Sequence, residues 1–151
     1  KMSDIVADKE TLFFSNNQNE FFSIDIKTGN LNWKQEINSD LRPTIINNFI
    51  FTVSIEGYLI VIEKISGNII RANDIFGNFK DKKRSKIKPS GFIVGIENIY
   101  LSTDSGQLLI IDINNGKIKS TLKIDNNKIS RPVVVNQNLY VITDNSITKF
   151  D

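Results

Sequence analysis

The sequence predicts an all-β chain, a β-propeller of four-stranded antiparallel blades, about four of them and half of an eight-bladed ring. Three observations point there. A turn of the form acid-x-x-x-Gly recurs at Asp25 and Gly29, at Glu63 and Gly67, and at Asp112 and Gly116, and a fourth copy stops at its acid, Asp151. The acids fall 38, 49 and 39 residues apart, inside the range where self-similarity marks blade or solenoid architectures. Each turn follows two or three short apolar runs. All three prolines, Pro43, Pro89 and Pro132, sit just ahead of such a run, where a residue without an N–H is tolerated at the start of a strand.

Taken in order, the blades are predicted at about 3–37, 41–76, 88–125 and 129–151, the last one incomplete. In the second, four strands read as roughly 43–47, 50–55, 58–63 and 68–74. Asn47-Asn48, Glu56-Gly57 and Ser66-Gly67 lie between them, and Asn and Gly accept the positive φ of tight hairpins. The third blade matches, with Asp104-Ser105-Gly106 and Asn114-Asn115-Gly116 as its turns. Ile, Val, Phe, Tyr and Thr fill the runs, as pleated and half-buried surfaces favour. Several runs are apolar throughout rather than alternating, which fits sheets covered on both faces. No stretch of ten or more residues carries a 3.6-residue apolar period, so helix is predicted to be negligible. A β-sandwich also accommodates short, evenly spaced strands, but it has no reason to repeat one turn four times.

Composition bounds the chemistry. The 151 residues include no cysteine and no histidine, which removes disulfides, thiolate metal sites and imidazole bases or ligands. No run approaches the ~18 apolar residues of a membrane-spanning helix. Lys1-Met2-Ser3 opens no signal-peptide core, so any export signal lies upstream or is absent. No Asn-x-Ser/Thr sequon occurs, which argues against a glycosylated ectodomain.

Charge is uneven. Net charge is +2, yet Lys80, Lys82, Lys83, Arg84, Lys86 and Lys88 crowd nine residues that hold one acid, Asp81. This stretch accounts for the long second interval and reads as an insertion between blades, 77–88. Its functional reading is a contact for an acidic protein surface, anionic lipid or nucleic acid. Nucleic acid is disfavoured, because no aromatic residues are interleaved for base stacking. The plainer reading, and the one favoured, is an exposed solvated loop.

The repeated residues have structural readings too. Trp33 lies four residues after Gly29, where the other copies carry Arg71 and Ser120. A tryptophan on a blade's last strand is expected to pack on the neighbouring blade rather than stack on a ligand. One acid per blade keeps the carboxylates apart, whereas general acid/base pairs lie within ~10 Å. Asp25, Glu63, Asp112 and Asp151 are therefore expected to accept hydrogen bonds from their own turns. The nucleotide-binding and nucleophile-elbow glycine motifs are absent. No catalytic, cofactor or metal residue is assigned.

The run Ser-Ile-Asp-x-x-Thr-Gly-x-x-x-Trp at 23–33 resembles the repeat of the pyrroloquinoline-quinone-type propellers. Within that superfamily the chain most resembles the family of the outer-membrane assembly factor BamB, in its C-terminal half. The likeness is densest from Gly95 to Asp151, through ENIYLSTDSGQLLIIDINNGKIKSTLKI and SRPVVVNQNLYVITDNSITKFD. The tryptophan is kept in one of three glycine turns, which marks a divergent member. The resemblance implies an eight-bladed, periplasmic, non-catalytic scaffold tethered to the outer membrane by a lipid anchor upstream, with a BamA-like barrel-assembly subunit as partner. A quinone-dependent dehydrogenase of the same superfamily and a sensor ectodomain are the alternatives. By blade arithmetic the whole protein is expected at roughly 330–400 residues, the remaining blades lying N-terminal or being replaced by a second copy that completes the ring.

Overall fold

The computed structural model describes residues 1–150. They form fifteen strands in four antiparallel sheets and one four-residue helical turn. The chain divides into two compact units, Lys1–Asn73 and a second from Asp74 onward.

In the first unit, β1 (Val6–Asp8), β2 (Thr11–Asn16), β3 (Glu20–Asp25) and β4 (Leu31–Gln35) pair in chain order. So do β5 (Thr44–Ile46), β6 (Phe49–Val53), β7 (Tyr58–Glu63) and β8 (Ile69–Asp74). Each strand returns through a tight hairpin, as consecutive antiparallel order requires. Asn47 adopts φ 53° in one of them, a conformation its short polar side chain tolerates. Lys9 adopts φ 52° in another, with no sequence signal to announce it. Period-two alternation sends Phe13 and Phe21 to one face of the first sheet, where they meet Ile50, Ile60 and Ile62 of the second. Ile37, in the connection between the sheets, closes this core, and Trp33 and Ile45 pack at its edge. The same connection laces the two sheets: Ser39 N–H donates to Asn16 O (3.1 Å) and Ile55 N–H to Asn38 O (2.8 Å).

The second unit begins with α1 (Asp81–Arg84) and continues with β9 (Pro89–Val94), β10 (Asn98–Thr103), β11 (Gln107–Asp112) and β12 (Ile118–Lys123) in chain order. A sheet of β13 (Val133–Val135), β14 (Asn138–Ile142) and β15 (Ile147–Phe150) follows. Leu108, Leu139 and Val141 meet between these sheets, with Ile129 of the connection beneath them and Tyr100 and Phe150 at the side. Gly91 lets that connection pass close, since a Cβ there would lie 2.5 Å from Arg131 Cβ. Arg131 uses the approach, its Nε–H donating to Phe92 O at 2.9 Å.

The prolines stand at strand starts as read: Pro43 and Pro132 directly precede β5 and β13, and Pro89 is the first residue of β9, pairing with Thr103 across a register shift. The basic insertion is more than a loop, because 81–84 close one helical turn through Arg84 N–H to Lys80 O (2.9 Å) and Ser85 N–H to Asp81 O (2.9 Å).

Candidate functional site

The three described repeat acids occupy one geometry. Asp25, Glu63 and Asp112 are the last residues of β3, β7 and β11. In each turn the glycine N–H donates to the acid's own carbonyl at 2.9 Å, and Gly29, Gly67 and Gly116 take φ of 71°, 76° and 70°. Only a residue without Cβ does this cheaply. The carboxylates fold back over the same turns. Asp25 Oδ1 accepts from the Thr28 N–H and hydroxyl, both at 2.8 Å. Glu63 accepts from Ser66 N–H at 2.6 Å. Asp112 accepts from Asn114 N–H at 2.8 Å and Asn115 N–H at 3.3 Å.

Those donors hold all three carboxyls below the usual carboxylate range. At Asp25 the Thr28 amide does most, at Glu63 the Ser66 hydroxyl and amide, and at Asp112 the Asn114 amide. A group kept ionised at a turn by fixed donors is a poor general acid at neutral pH. Asp151 lies outside the described residues. Asp25 also borders a polar recess of about 370 Å³ with Glu10, Ser23, Asn32 and Lys64. Its flexible charges are engaged, Lys64 with Asp8 and Lys27 with Glu10. Among the described residues no three acids gather as a metal site.

Trp33 ties one repeat turn to the next sheet. Its ring lies 5.9 Å from both Phe13 and Phe21, nearly parallel to the latter at 13°. The indole N–H donates to Lys64 O at 3.1 Å. The ring lies flat over Gly67, where a Cβ would sit 2.6 Å from Trp33 Cδ2. Gln35, two residues on, donates to Gly67 O at 2.7 Å. Gly67 thus answers two demands, a left-handed turn and an aromatic lid.

The basic residues divide by structure. Lys80, Lys82, Lys83, Lys86 and Lys88 are exposed, whereas Arg84 is half-buried and pairs with Asp74 at 2.7 Å. Lys83 Nζ stands 3.9 Å over the Phe79 ring, which stacks on buried Phe76 at 5.4 Å. Lys88 is held through its backbone, its N–H donating to Asp104 at 2.8 Å. Four ammonium groups are left facing water on a turn fixed by Arg84 and Lys83. Sequence reasoning treated the six as equivalent and missed Asp74, Phe76 and Phe79, which fix the turn. The Phe-x-x-Phe spacing ahead of the lysines was the available signal.

No curated protein sequence matches the chain. The family model described as outer membrane protein assembly factor BamB matches residues 2–73. Among solved structures, BamB from Moraxella catarrhalis superposes on 97% of this chain and 41% of its own, with TM-score 0.76 and 15% identity. Over residues 2–73 the sequence is thus similar to the BamB family. The family match falls on the first unit, not on 95–151 where the resemblance reads as densest. The chain spans about two fifths of the length of Moraxella BamB. The computationally designed Ika4 protein matches 99% of this chain and 90% of its own, with TM-score 0.74 and 10% identity. Quinohemoprotein alcohol dehydrogenase from Comamonas testosteroni matches 80% of this chain and 20% of its own, with TM-score 0.62 and 15% identity. At these identities the structural likeness is one of propeller fold. No helix among the described residues is long and apolar enough to cross a membrane.

Proposed function

We propose that this BamB-like chain is a non-catalytic interaction scaffold, part of a longer propeller that works in the periplasm beside the outer membrane with a BamA-like barrel-assembly subunit as partner. The observation that carries the reading is the use made of the repeat acids. Asp25, Glu63 and Asp112 each spend their carboxylate on the turn that closes their own sheet. The BamB family match and fold agree with that reading. The contact surface assigned is the basic turn, where Lys80, Lys82, Lys86 and Lys88 present mobile positive charge on a fixed frame, suited to steering an acidic protein surface.

The test is site-specific photocrosslinking from the exposed positions 81 and 85 of the whole gene product in its native cell envelope. Capture of a barrel-assembly subunit, lost when Lys80, Lys82 and Lys86 become Glu, is the expected result. Intact folding with no such capture from either position sinks the scaffold assignment. The dehydrogenase reading is tested separately with pyrroloquinoline quinone and Ca²⁺. Stoichiometric quinone binding to the whole protein would replace the scaffold reading by an enzymatic one.

A further inference from the structure

The residue before each repeat glycine does the same work with different chemistry. Thr28 Oγ1 accepts from Asn30 N–H at 3.2 Å, and Ser66 Oγ from Asn68 N–H at 3.1 Å. In the turn between β11 and β12 the acceptor is Oδ1 of Asn115, 2.8 Å from the Lys117 backbone nitrogen. A hydroxyl is inert in that place; a carboxamide is not. Asn115 is followed by Gly116, and the pair is the one Asn-Gly in a chain with 19 asparagines. A glycine amide carries no side chain to hinder its approach to the preceding carboxamide.

Two features of the turn favour that approach and two oppose it. Asn115 is exposed, so its carboxamide is open to water. The Lys117 N–H draws electron density from the Asn115 side-chain carbonyl and makes Cγ more electrophilic. Against this, Gly116 is buried and its N–H is spent on Asp112 O at 2.9 Å. The Asp112 carboxylate adds to the restraint by accepting from the Asn114 and Asn115 N–H groups. The electrophile is prepared and the nucleophile is held back by the closed turn.

We infer that Asn115 is a site of spontaneous deamidation, gated by the opening of its own turn. In the open turn the Gly116 nitrogen attacks Cγ of Asn115; the N–Cγ bond forms and the Cγ–Nδ2 bond breaks. Ammonia leaves, taking up through solvent the proton that the Gly116 nitrogen gives up. Water then opens the cyclic imide at either carbonyl, giving aspartate or isoaspartate. Isoaspartate lengthens the main chain between Asp112 O and the Gly116 nitrogen by a methylene, so the turn no longer closes on its former partners. Both products set a second carboxylate in the turn of Asp112. The change runs one way and alters both the charge and the closure of this turn. The site stands apart from the scaffold reading and from the basic turn.

The experiment incubates the folded 151-residue chain at mildly alkaline pH and follows it by intact mass and by peptide mapping that separates aspartate from isoaspartate. Asn115 is expected to be the first asparagine lost. Its rate should be at least about tenfold below that of the same chain unfolded in urea, because the turn must open first. Asp112→Ala should raise the folded-state rate roughly fivefold, as the loss of side-chain hydrogen bonds that hold the turn predicts. Should the alanine variant not fold, Asp112→Asn keeps an uncharged acceptor and should give a smaller rise. Asn115→Ser installs the residue of the second blade's turn and should abolish the reaction with folding intact. The isoaspartate product should lose amide-exchange protection at Gly116. Loss at another asparagine ahead of Asn115 overturns the site. A folded-state rate equal to the unfolded one, or unchanged in a folded Asp112 variant, overturns the gating.

Discussion

The Trp33 corner and the Ser120 corner share one register and bury different amounts of ring. At Trp33 an indole spans two sheets, stacks on Phe21 and donates a hydrogen bond to the carbonyl of Lys64. Ser120 is exposed at the matching register position, and a pocket of about 260 Å³ bordered by Leu108, Ile110, Gln137 and Leu139 stands between the sheets. The backbone is thus specified by turn and ladder, since β3–β4 and β11–β12 take the same bulge with and without the tryptophan. The indole adds packing between sheets; it does not set their pairing.

The largest expected effect follows directly. Trp33→Ala removes the ring from between Phe13 and Phe21 and should cost about 3 kcal/mol, within the range for truncated core aromatics. Ser120→Ala removes an exposed hydroxyl and should change stability by less than about 0.5 kcal/mol. Urea midpoints of the two variants give both values. Equal costs would show that the corners are not packed as differently as their geometry indicates.

Next in size is the contrast between two glycines of one motif. Gly29 and Gly67 share the left-handed conformation, but a Cβ at Gly29 meets nothing within 4 Å and one at Gly67 meets the Trp33 ring. Gly29→Ala should therefore cost only the left-handed strain, about 1–2 kcal/mol. Gly67→Ala adds a clash that displaces the ring, raising the cost to roughly 2–4 kcal/mol. In a Trp33→Ala background the two should converge, and the difference is the coupling energy between Trp33 and Gly67.

Much of this was legible in the sequence because the informative elements are local. A left-handed glycine after an acid needs only its own turn, so Asp25-Gly29, Glu63-Gly67 and Asp112-Gly116 could be read without any knowledge of neighbours. The four strands read in the second blade followed from those turns, with ends displaced by a residue or two. The contrast at Ser120 was visible only in part. That position 120 carries no tryptophan can be read from the repeat, but which residues face it requires knowing which strands pair. Phe79 escaped notice for the same reason: its partners, Phe76 and Lys83, come together only when 81–84 close a helical turn.

Acid should act alike on the three turns. Their carboxyls titrate lower in the folded chain than in the unfolded one. The stability they contribute is full above the unfolded carboxylate values and is lost as pH falls through the lower folded ones. Stability should accordingly drop below about pH 4, and Asp112→Asn should flatten part of that slope in denaturant titrations across pH 2–6. An unchanged slope in that variant would mean that the turn's amide donors do not discriminate between the charged and neutral side chain.

The smallest expected effects lie in the basic turn, where the comparison is between neighbours in sequence. Reversing Lys82 and Lys86 to Glu alters two exposed ammonium groups and should change stability by less than about 0.5 kcal/mol. Arg84→Glu differs. It puts a carboxylate where a half-buried guanidinium lies 2.7 Å from Asp74, replacing attraction by repulsion at a point where Asp74 also caps the Phe76 N–H at 3.1 Å. A loss of about 1 kcal/mol is expected, at the upper end for exposed pairs, and Asp74→Asn in the same chain should recover part of it. The sequence alone reads the six basic residues as one exposed loop; the structure sets Arg84, paired with Asp74, and Lys83, over the Phe79 ring, apart from the rest. A Lys82, Lys86 double reversal that destabilises as much as Arg84→Glu would show that the lysines hold the fold, and that their charge is not free for a partner.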